Sequence, residues 1–121
     1  MSSHESFTVV HRGGFQKDGK WHLVRRSLGV SAFGINMVDL KPGEQIPEHD
    51  EADRDQEEVF IVLSGNPTII IDNKQHALHE GSFVRLDPAL QRYVINNGKD
   101  LSTLLIISAP RTSGYTPLDW A

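Results

Sequence analysis

An all-β domain, built as an antiparallel sandwich or barrel, is what this sequence predicts. Helical periodicity is hard to find along its length, whereas short runs rich in β-branched and aromatic residues recur between turn signals. Those signals, among them Gly13-Gly14, Lys41-Pro42-Gly43, Ser64-Gly65-Asn66-Pro67, Asp72-Asn73, Glu80-Gly81, Asp87-Pro88 and Asn97-Gly98, supply the Gly, Pro, Asn or Asp that tight turns require. With 121 residues and 38% of them hydrophobic, the chain is long enough to close one core and fits a single domain.

About eight strands are expected in order. Residues 7–12 run from Phe7 through Val9-Val10 to the first glycine pair, and residues 21–28 and 33–40 follow, the latter ended by Lys41-Pro42-Gly43. Residues 58–63 enter Ser64-Gly65-Asn66-Pro67, residues 68–71 turn at Asp72-Asn73 into 75–79, and Glu80-Gly81 leads into 82–86. A short loop then reaches 91–95, and residues 101–108 follow Asn97-Gly98. In 58–63, Glu58, Phe60 and Val62 share one face while Val59, Ile61 and Leu63 share the other, so both faces carry apolar side chains. The same doubling recurs at 104–107, which predicts a second covering layer, the N-terminal strands or a second subunit, and a homodimer is the expected assembly.

Composition narrows the function classes. Net charge is −4 and the twelve Lys and Arg residues are scattered, so no basic stripe is available for nucleic acid. No apolar run approaches bilayer length and no signal-peptide pattern opens the sequence, so a cytoplasmic protein without membrane contact is expected. The absence of cysteine excludes disulfides and thiolate chemistry, leaving His and carboxylate as the metal ligands available. No serine sits in a nucleophile-elbow pattern, and neither His4, His11 nor His22 joins a catalytic constellation by spacing. His76 and His79, three apart on a strand, point to opposite faces and are expected on a hairpin surface.

Seven of the eleven positions from Glu48 to Glu58 are acidic. Most of that acid, at Asp50, Asp53, Asp55 and Glu57, reads as a solvated, self-repelling loop. "DRDQEE" lacks the glycine and closing glutamate of a calcium loop.

The spacing around this stretch carries a resemblance. Gly43, five residues, His49, then Glu58, six residues, Gly65 resembles the first motif of the cupin superfamily, G-x5-H-x-H-x3-4-E-x6-G. "GSFVRLDPALQRYVIN", from Gly81 to Asn96, resembles the second, G-x5-P-x-G-x2-H-x3-N, and fifteen residues separate Gly65 from Gly81. The resemblance implies a double-stranded jelly-roll β-barrel around a small cavity. It also implies a metal cage of three histidines and a glutamate, from which this chain departs. The second histidine position holds Glu51, the gap from there to Glu58 is longer than the pattern allows, and the last histidine position holds Arg92.

A guanidinium in that slot argues against an ion. Unit charges 4 Å apart interact by about 4 kcal/mol at an effective dielectric of 20, and a divalent ion faces roughly twice that repulsion. The same guanidinium can instead bridge to Glu58 or Glu51. No metal and no cofactor are therefore expected. The expected function is binding of a small polar or anionic molecule in the barrel cavity, with His49, Glu51, Gln56, Glu58, Arg85, Arg92 and Asn96 as candidate contacts. Arg85 and Arg92 could together clamp a carboxylate or phosphate, or could neutralise the acidic first motif. Alternatives are a metal-dependent cupin enzyme of dioxygenase or isomerase type using His49, Glu51 and Glu58, metal-free acid/base work by Glu58 and His49, and an interaction module using the acidic loop 48–58. Tyr115, Leu118 and Trp120 near the C-terminal end are expected to staple that segment to the barrel or to a neighbouring subunit.

Overall fold

The computed structural model describes residues 6–121. In chain order its strands are β1 (Lys17–Asp18), β2 (Trp21–His22), β3 (Gly34–Leu40), β4 (Gln45–His49), β5 (Gln56–Ser64), β6 (Thr68–Ile71), β7 (Lys74–Ala77), β8 (Phe83–Leu86), β9 (Arg92–Ile95) and β10 (Ser102–Pro110), with one short helix, α1 (Val24–Leu28), between β2 and β3. Six strands form one antiparallel sheet in the order β1-β2-β3-β10-β5-β8, and four form the other in the order β4-β9-β6-β7. Val38, Leu40, Phe60, Val62, Leu86, Leu104 and Ile106 from the larger sheet close against Ile46, Ile69 and Val94 from the smaller. The all-β expectation holds.

Alternation in β5 decides which side chains reach the interior. Gln56, Glu58, Phe60 and Val62 are buried, while Glu57 is exposed and Val59 and Ile61 are half-buried on the outer face. Across the ladder Val59 meets Ile107 and Ile61 meets Leu105, so the outer face carries a continuous apolar row beside Phe83, which is 70% exposed. The helix α1 packs over β3.

Three expectations about elements change. Residues 7–12 join no ladder, because the edge beside β2 is occupied by β1; Phe7 and Val9 stay exposed. The strand expected over 21–28 stops at His22, and the chain turns into α1, which buries Val24 and leaves Arg25 and Arg26 in water. Gly29 ends that helix in the left-handed region, φ +78°, with its N–H donating to the Arg25 carbonyl at 2.8 Å. The third change is β4, which lies in what the sequence presents as loop. Pro47 sits in it without breaking the sheet, since β4 is an edge strand and its register slips between Ile46 and His49.

His22 acquires a partner that spacing did not disclose. It is 6% exposed, and its Nε2 lies 2.7 Å from Asp39 Oδ2, while Thr103 donates to Asp39 Oδ1 at 2.7 Å. Burial works against the Asp39 carboxylate, but the hydrogen bonds from His22 and Thr103 prevail and hold its pKa below the ordinary value. His76 and His79 are exposed on and beside β7, as expected, and His4 lies outside the described residues.

Candidate functional site

A cavity of about 370 Å³ opens between the two sheets at the end where β4 finishes and β5 begins. Its apolar wall is Trp21, Ile46, Phe60 and Ile106, and its polar wall carries His49, Glu51, Gln56 and Glu58. The smaller sheet contributes His49 from the end of β4; the larger contributes Gln56 and Glu58 from inward positions of β5. Between them the acidic segment folds into a one-turn 3-10 helix, Ala52–Arg54, closed by Asp55 at φ +50°. That segment is less free than like-charge repulsion suggests. Asp55 pairs with Arg111 at 2.7 Å, and Asp50 accepts from Gln91 Nε2 at 2.6 Å, so only part of the acid is simply solvated.

His49 Nδ1 lies 2.9 Å from the Pro47 carbonyl, which can only accept, so Nδ1 carries the hydrogen. Nε2 then faces Glu51 Oε2 at 3.3 Å. Ligating atoms of His49, Glu51 and Glu58 all lie within 4.8 Å of one another. Three groups that accept when deprotonated thus converge, and a proton or another cation is needed among them. Glu58 is only 7% exposed. Burial, then the charge of Glu51, raises its pKa above the ordinary carboxyl value, against the opposing pull of Arg92, His49 and Arg54.

Arg92 lies beneath Glu58. Register pairs it with His49, yet its side chain is 0% exposed and does not line the cavity. Its Nη2 is 3.7 Å from Glu58 Oε1, an ion pair without hydrogen-bond geometry, and donates to the Asp87 carbonyl at 3.2 Å. Nε and Nη1 have no hydrogen-bond partner, nor does Glu58 Oε1. The expected bridge to Glu58 is present; direct contact between Arg92 and a cavity ligand is not available from this position.

Two other candidates need correction. Arg85 projects outward from β8, because Leu86 beside it takes the inward position, and it pairs on the surface with Glu57 at 3.4 Å and with Asp87. No clamp with Arg92 can form. Asn96 is fully buried, but it ties loops rather than facing the cavity: Nδ2 donates to the Leu40 and Asp100 carbonyls at 2.7 Å each, and Oδ1 accepts from Gly98 N–H at 3.0 Å. Asn96→Ala should cost about 2 kcal/mol, the scale of stranding buried backbone polar groups. Urea denaturation would measure it, and ligand binding in the cavity should be unaffected below the transition.

Asn36 and Ser108 also line the cavity and were missed. Each is polar at an inward position of a strand whose neighbouring inward residues are apolar, Val38 and Leu40 in β3, Leu104 and Ile106 in β10. That break in pattern is the signal that could have found them. Tyr115, Leu118 and Trp120 are all exposed, so the expected staple to the chain's own barrel is not formed.

Two antiparallel sheets closed around a cavity with a polar mouth define a double-stranded jelly roll. The chain belongs to the cupin family: residues 36–108 match its cupin domain. It is similar to an uncharacterized protein, MJ0764, of Methanocaldococcus jannaschii, with 24% identity over 97 residues that cover 79% of this chain and 81% of the relative. Among solved structures, a cupin protein from Bacteroides fragilis superposes with a TM-score of 0.78 at 22% identity, covering 96% of each chain. The plu4264 protein from Photorhabdus luminescens gives 0.67 at 18% identity, over 91% of this chain and 92% of that one. Among the described residues no helix is long and apolar enough to cross a membrane.

Proposed function

We propose that this cupin domain binds a small polar molecule in the cavity, held at His49, Glu51, Gln56 and Glu58. The observation that carries the reading is the convergence of His49, Glu51 and Glu58 at the mouth of a cavity with an apolar wall. Glu51 and Glu58 accept from ligand hydroxyls, and the apolar wall excludes water from the carbon skeleton. The same set suits acid/base work, with the buried Glu58 as base and His49 as acid across a bound ligand.

Thermal-shift screening against small acids and sugars tests the reading. A ligand at 100 times its dissociation constant should add about 2.7 kcal/mol of stability. His49→Ala and Glu51→Gln should abolish that gain while altering ligand-free stability little, since both side chains are partly exposed. A gain that survives both substitutions would refute it.

A second reading has its own observation. His49 donates through Nδ1 to a backbone carbonyl and turns Nε2 toward two carboxylates, an arrangement metal-binding histidines commonly adopt. In donor type and convergence the three residues fit a divalent first-row ion, with Arg92 beneath Glu58 opposing it. Such an ion would polarise a ligand oxygen. Near-stoichiometric transition metal in the purified protein, lost on His49→Ala, would favour this reading; a trace content insensitive to that substitution would favour the first.

A homodimer completes the proposal. The outer row of Val59, Ile61, Leu105 and Ile107, with Phe83, is bordered by Arg85, Glu57 and Asp87, a rim of both signs that suits a self-complementary two-fold contact. Light scattering should give twice the chain mass, and Phe83→Glu should return it to one.

A further inference from the structure

We propose that the ligand is a small hydroxylated molecule carrying an oxyanion, a carboxylate or a phosphate, which seats at Arg54 and Arg25 in a second chamber adjoining the cavity. The inference rests on the small-molecule reading above and adds the ligand's chemical class. A chamber of about 500 Å³ adjoins the first and shares with it the walls Gly34, Asn36, Arg54, Gln56 and Ser108. Polar residues predominate on this side: Ser31, Asn36, Gln56 and Ser108 line it together with the two arginines, and no carboxylate does.

Charge is therefore divided between two adjoining hollows that share a wall. Glu51 and Glu58 stand at one end, Arg25 at the other, and Arg54 borders both chambers. Arg85, Arg92 and Arg111 each have a carboxylate within ion-pair distance, whereas among the described residues Arg25 and Arg54 have none. Arg25 is held by one bond only, Nη1 to the Val30 carbonyl at 3.2 Å, which orients the guanidinium and leaves its other donors free. The Arg54 charge also reaches the site, since it is among the groups that oppose the rise in the Glu58 pKa.

Two guanidiniums with no carboxylate paired to them among the described residues, beside hydroxyl and amide donors, recognise planar or tetrahedral oxyanions through charge-assisted hydrogen bonds. The carboxylates at the opposite end require donors from the ligand, which hydroxyl groups supply. Arg54 and Arg25 thus take the anion-binding role that the sequence assigned to Arg85 and Arg92, both of which are committed elsewhere.

Calorimetric titration of the full chain at constant ionic strength with glycerol 3-phosphate, glycerate and glycerol tests this. At least one anion should bind, glycerol should bind at least about tenfold more weakly, and Arg54→Gln and Arg25→Gln should each weaken the anion by about tenfold, the scale of one charge-assisted bond. Arg85→Gln should change nothing. The ratio of glycerol 3-phosphate to glycerate affinity distinguishes phosphate from carboxylate. Equal affinity for glycerol, or arginine variants that bind like the parent, overturns the inference. If His49→Ala alone abolishes binding, the cavity reading stands and the anion seat falls. If the arginine variants weaken binding and His49→Ala does not, the anion seat stands and the role of the first chamber falls. If none of the three probes binds, both fall.

Discussion

Arg92→Met should destabilise the protein by about 3–5 kcal/mol at neutral pH, the scale expected when one partner of a buried ion pair is removed. The substitution keeps much of the side-chain length but strips the positive charge from beneath Glu58, whose carboxylate is already desolvated and repelled by Glu51. The sign of the pH dependence follows. Burial and Glu51 raise the Glu58 pKa in the folded protein, so the folded state favours the protonated form; without Arg92 that rise grows. A group with a raised folded pKa contributes stability that is full in acid, below the ordinary carboxyl range, and is lost as pH rises through the folded value. The deficit of the variant should therefore be smaller near pH 4 than near pH 8. Adding Glu58→Leu should restore most of the loss, since a buried pair replaced by apolar side chains is often neutral or better. Denaturant titrations at both pH values measure this, and a deficit that is the same at each, unrelieved in the double variant, would contradict the pairing.

Gly65→Ala should cost roughly 4 kcal/mol. Gly65 has φ +87°, and a Cβ there would lie 2.6 Å from Ser102 Cα and 2.7 Å from the Leu101 carbonyl oxygen. Left-handed backbone costs a side-chain-bearing residue about 1–3 kcal/mol, and overpacking adds about as much again. The obstructing atoms belong to the backbone where β10 begins, so relief requires that strand to shift. Gly81 provides the control, with φ +88° and open space around it. Gly81→Ala should lose only the backbone part, about 1–3 kcal/mol. Equal losses for the two alanine variants would mean that the contact with β10 is not tight.

Runs of β-branched and aromatic residues bounded by turn signals made the core strands legible: β3, β5, β6 and β10 are found where the sequence places them, with small shifts at their ends. Elements whose stability comes from context were less visible. Five residues of α1 are too few to show a period, and β4 carries a proline that only an edge position with a register slip accommodates. The site was half legible for the same reason. Motif spacing singled out His49, Glu51 and Glu58, which share a cavity wall, and placed Arg92 against Glu58. Spacing carries no information on which side of a carboxylate a guanidinium lies, so Arg92 beneath the floor and Arg85 on the outer surface needed the fold. Arg54 and Arg25 could not be found from any motif, because a turn and a short helix bring them to one wall only after both sheets have assembled.

In the larger sheet β3 and β5 never touch as neighbours; β10 lies between them and bonds to both along most of its length. Both strands precede β10 in the chain, so until β10 is made the larger sheet can form only as two parts with an open seam between them. Closure must wait for the late strand to thread between them, a non-local event that makes slow folding, and a need for protection of the exposed seam, the natural expectation for this topology.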